Sequence, residues 1–272
     1  MVQIVGRWRR GHIGFTDDRT TSVDASEPAS VPMRQEAVRP HAAAMTTTIR
    51  ARLVALLLVI GPLAFTFGDL LRRIVEPDGS PKASAITAAV NDHTGLWLLA
   101  GLLSIVAAFC IVPGVLALIP RDGRGSVLTT IGGAMVTIGG VASAGHAVAF
   151  YAPYALYAKA NTSADALTAL DDASESYPLL VALIVLFIAG MMLGTIVLFL
   201  GLRRARRVPI WSVLAAVVFV ACGSTGGVLP GIIGIVAALA AFGPAAASVG
   251  EIGRGRVREP GVGRVAGHPE RA

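Results

Sequence analysis

The sequence predicts an all-α fold: an integral membrane bundle of six transmembrane helices, with the N-terminus and the C-terminus both in the cytoplasm. Three observations predict it. Hydrophobic residues make up 54% of the 272 residues and charged residues only 15%, against about 25% charged residues in soluble domains. The apolar residues form blocks of about 20, the length that crosses a bilayer as a helix. Arginines gather at every second boundary between these blocks, as the positive-inside rule requires.

The first four apolar blocks each predict one helix, at 53–71, 95–119, 127–150 and 179–202. At about 1.5 Å per residue, even the shortest of them just crosses a hydrocarbon layer of about 30 Å. Three residues in or directly next to these helices indicate local structure. Pro62 predicts a kink, Trp97 an interfacial anchor, and Pro178 a helix start at the first turn.

The last apolar region, 209–249, is too long for one helix. Its middle reads CGSTGGVLPG over 222–231, with three glycines, a serine and a threonine ahead of Pro230. Such a stretch predicts a turn, and a proline can begin the helix that follows. We therefore divide the region into helices at 209–224 and 230–249.

The basic residues favour six helices over five. With the N-terminus in the cytoplasm, thirteen arginines flank cytoplasmic helix ends and four basic residues lie in outer loops, which agrees with the positive-inside rule. Five helices would instead place the C-terminal tail and its five arginines outside. Arg72 and Arg73, at the outer end of the first helix, are the exceptions. The sequence thus predicts a multi-pass membrane protein. Its richness in arginine, alanine, glycine and valine is typical of a GC-rich bacterial genome, which predicts the bacterial inner (plasma) membrane.

Polar segments flank the transmembrane domain, which is predicted over 49–250. Residues 1–48 form a polar extension that we expect to be disordered. We hypothesise that Met45 within it is an alternative start of translation. Residues 251–272 form a glycine- and arginine-rich tail that we also expect to be disordered.

Two predicted outer loops, 72–94 and 151–177, are longer than turns. The second is acidic, and it predicts a short helix over Ala164–Leu170 that Ser163 caps. It begins with three tyrosines that are typical of an interfacial aromatic belt: Tyr151, Tyr154 and Tyr157.

Two segments carry a resemblance: NDHTGLWLLAGLLSIVAAFCIVPGVLAL, which starts at Asn91, and GRGSVLTTIGGAMVTIGG, which starts at Gly123. On these segments, which cover about a fifth of the chain, the sequence resembles uncharacterised small polytopic membrane proteins of GC-rich, actinobacteria-like bacteria. The resemblance implies the membrane fold and brings no activity and no site residue with it.

Three ionisable residues fall at the outer ends of predicted helices. Asp69 ends the first helix, His93 directly precedes the second, and His146 lies about four residues before the end of the third. Two imidazoles and a carboxylate can bind a first-row metal or relay protons, and two histidines can hold a haem. The sequence therefore predicts an outer-leaflet metal or haem cluster of Asp69, His93 and His146. Beyond that cluster we expect no cofactor.

Each member of this cluster also has an ordinary structural explanation. Asp69 can pair with an arginine at position 72 or 73, one turn away. Asp92 or Thr94 can cap the second helix, which leaves His93 as a loop residue. His146 can hydrogen-bond to a serine one turn back, at position 143, or extend towards water.

Glycines at helical spacing recur in the later helices. Gly190 and Gly194 form a G-x-x-x-G pattern, which lets two helix backbones approach closely. One interpretation is a homo-oligomer formed through Gly190 and Gly194. The other, which we favour, is ordinary packing within one bundle.

The sequence holds no established catalytic motif, and four of the six predicted helices contain no charged residue and no histidine. We therefore do not expect an enzyme, and because the arginines flank apolar blocks we expect the bilayer, and not nucleic acid, as the partner. Our first hypothesis is a non-enzymatic membrane component that acts through helix packing and its outer loops. The first alternative is a small-solute or lipid-like carrier, and the second is a metal or haem protein.

Overall fold

The computed structural model describes residues 39–77, 82–119 and 123–255. Most of the predicted extension, 1–48, and most of the predicted tail, 251–272, lie outside these residues. Where they overlap, the chain is helical, since the first helix begins at Arg39 and the last continues to Gly255. Residues 41–52 contain neither glycine nor proline, so a helix started in the apolar block extends through them at little cost.

The described residues contain helices and no strand. Three of the helices are long and single: α1, Arg39–Val75; α3, Thr94–Leu118; and α4, Ser126–Ala160. Helix α6, Pro178–Arg204, is interrupted by one π-helical turn over Ala189–Leu193. The others are α2, Ala83–Asp92; α5, Ala164–Ser176; α7, Ile210–Ser224; and α8, Val228–Gly255.

Five of these helices are long and apolar enough to cross a membrane. The spans are Thr48–Val75, Thr94–Leu118, Ser126–Ala160, Pro178–Arg204 and Val228–Val249. The predicted helix at 209–224 is present as α7, but its 15 residues extend for only about 22 Å at 1.5 Å per residue. The chain is therefore a multi-pass helical membrane protein with five candidate spans and one shorter apolar helix.

The outer surface of the bundle carries large apolar side chains, as a lipid-facing surface should. Phe109, Val141 and Leu229 are each about two-thirds or more exposed. Exposed apolar surface of this extent is rare on soluble monomers and marks a protein that meets lipid or a partner.

Helix α4 lies at the centre of the bundle, between α3 and α6. Its glycines allow the approach to α6, because a Cβ on Gly190 of α6 would lie 2.5 Å from the Cα of Gly139. On its other side α4 meets α3, where Gly101 lies against the ring of Tyr151. Helix α1 packs on α3 in turn, through Gly61 against Ile111.

One end of the bundle, which we call the tyrosine end, is built from α2, α5 and the last turns of α4. Trp97 is almost fully buried there and donates a hydrogen bond from its ring nitrogen to the carbonyl of Tyr151, at 2.9 Å. The carboxylate of Asp171 in α5 accepts a hydrogen bond from the backbone nitrogen of Ala83, at 2.7 Å, and so caps α2.

The tyrosine end corrects two sequence-based expectations. Helix α4 continues to Ala160 instead of ending near 150, so Tyr151, Tyr154 and Tyr157 are helical and not part of a loop. The predicted loop over 72–94 contains α2. In both cases tertiary packing decides, because Val90, Trp97 and Tyr151 share one buried apolar cluster. The short helix predicted after Ser163 is confirmed and runs longer, to Ser176.

Candidate functional site

A cavity of about 500 Å³ lies among α1, α3, α4, α6 and α7. A volume of this size falls within the range of sites that hold small molecules, about 300–1,000 Å³. Most of its wall is apolar or aromatic, and a few polar groups meet in it. The side chains that line it include those of Phe65, Asp69, Arg72, Ser143, His146, Phe187, Met191, Met192, Phe219 and Ser224.

Aromatic rings form the apolar part of the cavity wall. Phe65 of α1 meets Phe187 and Phe219 edge to face, each with ring centroids 6.2 Å apart. The ring of His146 stacks between Phe187, at 5.3 Å, and Phe150, at 5.7 Å. These contacts hold the rings in fixed positions around the cavity. They place His146 in an aromatic stack, and not in the hydrogen bond to Ser143 that its spacing allows.

The π-helical turn of α6 brings two methionines to the cavity. Within Ala189–Leu193, the backbone of Gly190 lies against α4, and Met191 and Met192 line the cavity. A π-turn inside an α-helix is uncommon and frequently occurs at functional sites. Methionine side chains are flexible and polarisable, so this part of the wall can adapt to ligands of different shape.

Charged groups form the polar part of the cavity wall. Asp69 accepts hydrogen bonds from Nε and Nη2 of Arg72, at 3.2 and 2.9 Å, and from Nε of Arg73, at 2.7 Å. The pairing of Asp69 with these arginines, predicted from their spacing, is confirmed. Asp69, Arg72 and Arg73 together carry one net positive charge, and Arg72 is the arginine of this group that lines the cavity.

Arg73 is a structural residue beside this group, with its side chain only 1% exposed. Its terminal nitrogens donate to the carbonyls of Cys222, at 2.8 Å, of Gly227, at 2.9 Å, and of Thr225. The side chain therefore satisfies carbonyls at the end of α7 and in the turn to α8, where a cation is also favoured by the helix dipole.

The structure brings two of the three predicted site residues together. Asp69 and His146 line the same cavity, whereas His93 is exposed in the turn between α2 and α3 and is not among the lining residues. In the described part of the chain, no three His, Cys, Asp or Glu side chains are grouped so as to hold a metal. The metal or haem cluster of Asp69, His93 and His146 remains a prediction.

The expected cap of α3 is not formed. His93 occupies the N-cap position without a side-chain hydrogen bond, and Thr94 donates its hydroxyl backwards to the carbonyl of Val90, at 2.8 Å. Only His93 separates the two helices. The Thr94 hydroxyl therefore satisfies a carbonyl at the end of α2 and does not cap the start of α3.

Gly190 and Gly194 both face α4 of the same chain and are buried. Gly190 lies against the backbone of Gly139, and Gly194 lies against Met135 and Val136. This contact is the packing within one bundle that we favoured from the sequence. A homo-oligomer through Gly190 and Gly194 remains a prediction that would require this covered face.

Several cavity residues were not identified from the sequence. Phe187 and Met191 stand in an apolar run where nothing marks one side chain as facing a cavity. The sequence identifies Arg72 as an exception to the positive-inside rule and as a partner available to Asp69, but not as a residue that lines a cavity. That exception was the available signal, because an arginine outside the expected boundary needs a partner.

Comparisons of the chain with protein-family models, with curated proteins and with solved structures gave no match. The geometry of the cavity is therefore the basis for any functional conclusion.

Proposed function

We propose that the protein binds and carries a small lipid-like molecule, with an apolar body and an anionic head, in the central cavity. The observation that carries this proposal is the composition of the cavity wall. Phe65, Phe187 and Phe219 offer an apolar surface, and Arg72 lies in the same cavity with a charge that Asp69 only partly balances. Sites that bind small molecules combine an apolar lining with a few convergent polar groups.

The charge of the cavity favours an anionic head over a cationic one. Asp69 is shared between two arginines, and Arg73 is fully engaged with backbone carbonyls. Arg72 uses Nε and Nη2 on Asp69, which leaves Nη1 as a donor for a carboxylate or phosphate oxygen. Charge-assisted hydrogen bonds of this kind are about twice as strong as neutral ones.

The cavity also favours this function over our first sequence-based hypothesis. A component that acts only through helix packing and its loops has no need of an internal cavity of about 500 Å³. The second alternative, a metal or haem protein, would use Asp69 as a ligand, and that carboxylate is already occupied by Arg72 and Arg73.

We further propose six spans, with both termini in the cytoplasm of a bacterium and α7 as the fifth span. A span of 15 residues ends inside the hydrocarbon layer, short of the bilayer surface. Carbonyls without hydrogen-bond donors are costly in that layer. Arg73 supplies donors at that end of α7. Its role there also accounts for an arginine on the outer side. The resemblance to polytopic proteins of GC-rich bacteria agrees with this placement.

Cysteine accessibility tests the cavity proposal. We would replace Cys110 and Cys222 by alanine and then introduce single cysteines as Ser143→Cys or Ser224→Cys in the cavity wall. Val141→Cys, whose parent side chain is 65% exposed on the outer surface, is the matched control. The full chain in phosphatidylcholine vesicles would be treated with a membrane-impermeant methanethiosulfonate.

We expect both cavity cysteines to react and the control cysteine to be inert, because lipid covers it. Decanoate should slow the reaction at the cavity cysteines, and decylammonium should not. If neither cavity cysteine reacts, the cavity is not hydrated and the proposal fails. If decanoate and decylammonium protect equally, the preference for an anionic head is wrong.

A further inference from the structure

A second recess, of about 530 Å³, lies at the end of the bundle opposite the tyrosine end, and four arginines line it: Arg124, Arg203, Arg204 and Arg206. We call this recess the arginine recess. Arg124 lies in the turn before α4, and the other three lie at the end of α6 and in the turn that follows. From these positions we infer that the arginine recess binds the phosphate of an anionic phospholipid headgroup.

Backbone contacts hold the two turns of the arginine recess together. Gly125, with a φ of +84°, lies so close to α6 that a Cβ there would be 2.9 Å from the nitrogen of Ala205. Arg206 itself adopts a positive φ of 58°, a backbone conformation that residues other than glycine seldom take. The guanidinium groups are therefore brought together by a defined backbone arrangement.

The four positive charges are not balanced within the described residues. None of these four arginines forms an ion pair with an acidic side chain that the structure describes, and among the described residues no acidic side chain lines the arginine recess. The next arginine, Arg207, turns away and donates to the carbonyl of Leu118, at 3.0 Å. Like charges held close together repel one another, and a shared anion relieves the repulsion.

The position of the arginine recess selects the source of that anion. Arg124 lies just before the candidate membrane span Ser126–Ala160. Arg203 lies in the last turn of the candidate span Pro178–Arg204. The ends of such spans lie at the level of the lipid headgroups. Basic pockets between transmembrane helices bind anionic headgroups, and the planar guanidinium matches phosphate oxygens in bidentate geometry.

Lipid binding by the purified full chain tests this inference. Native mass spectrometry from detergent micelles would give apparent affinities for dioleoylphosphatidylglycerol and dioleoylphosphatidylcholine, with and without inorganic phosphate as competitor. The first double variant is Arg203→Gln with Arg204→Gln, at the end of α6. The second is Arg124→Gln with Arg206→Gln, which changes one arginine in each of the two turns. Arg50→Gln with Arg52→Gln is the control pair, since both residues are exposed arginines of α1 outside the recess.

We expect the wild type to prefer phosphatidylglycerol. Each recess pair should weaken phosphatidylglycerol binding about 30-fold, at about fivefold per arginine near a membrane surface. The control pair should retain wild-type affinity. A recess that instead binds inorganic phosphate and ignores the lipid would take its phosphate from a soluble source, and the lipid assignment would be overturned. Equal affinity for both lipids, or equal losses in the control pair, would also overturn it.

Discussion

The two halves of α4 pack in opposite ways. In the first half, Gly132 and Gly139 bring α4 into backbone contact with α6, and no space remains between the two helices. In the second half, the ring of His146 stacks on Phe187 of α6, so side chains and not backbones meet between these two helices, while Tyr151 faces α3. The cavity lies where the rings begin. Close backbone packing at one end of a helix can therefore hold a cavity open at the other, because it fixes the two helix axes at positions where the larger side chains leave a gap.

The largest effect should come from breaking the glycine contact. A Gly190→Leu substitution places a side chain where the backbone of Gly139 already lies. The two helices must therefore move apart to accommodate it. We expect a loss of more than about 3 kcal/mol, enough to remove most of the folded protein. Denaturant titration in detergent micelles would measure it. Gly243→Ala is the control, since a Cβ there meets nothing within 4 Å, and unchanged stability of Gly190→Leu would contradict the backbone contact.

The second effect concerns the polar part of the cavity wall. An Arg73→Gln substitution removes a buried cation from Asp69 and from three carbonyls at the end of α7 and in the turn to α8. Breaking a buried pair of this kind costs about 3 kcal/mol. Arg72→Gln, at a side chain that is 27% exposed, should cost about 1 kcal/mol or less. The same titration would measure both, and equal losses would show that Arg73 has no special structural role.

A smaller effect is expected at the tyrosine end. Trp97→Phe keeps most of the buried ring and removes the hydrogen bond to the carbonyl of Tyr151. One lost hydrogen bond of this type costs about 1 kcal/mol. Trp211→Phe, at a ring that is half exposed, should change stability by less than about 0.5 kcal/mol. If the two variants unfold at the same denaturant concentration, the hydrogen bond of Trp97 contributes nothing to stability.

The smallest change in stability should come from His146→Phe, because another aromatic ring can stack between Phe150 and Phe187. We expect a difference within about 0.5 kcal/mol. The same variant tests the metal or haem hypothesis by elemental analysis and absorption spectroscopy. A wild type that binds stoichiometric metal or haem, with the variant binding none, would support the cluster of Asp69, His93 and His146. A wild type that binds neither would end it.

The sequence predicts much of this architecture because length and hydropathy determine membrane helices. The turn near Pro230, the cap at Ser163 and the ion pairs of Asp69 also follow from local spacing, and the structure contains all three. These features involve residues within a few positions of one another, where the chain itself fixes the geometry.

The parts that the sequence does not predict depend on distant contacts. The tyrosines that follow residue 150 suggest the end of a helix, yet α4 continues because Tyr151 packs on Trp97. The cavity depends on rings from α1, α6 and α7, and their meeting cannot be inferred from any single segment.

The π-turn of α6 shifts the numbering of the helix by one residue. Before it, Pro178–Ile188 has no buried residue, whereas after it Thr195, Leu198 and Phe199 are fully buried. One residue corresponds to about 100° of rotation about the helix axis. Deleting a single residue from this turn would therefore rotate the first half of α6 and carry Phe187 away from His146. In evolutionary terms, the insertion or loss of one codon could open or close the cavity without substituting any of its aromatic side chains.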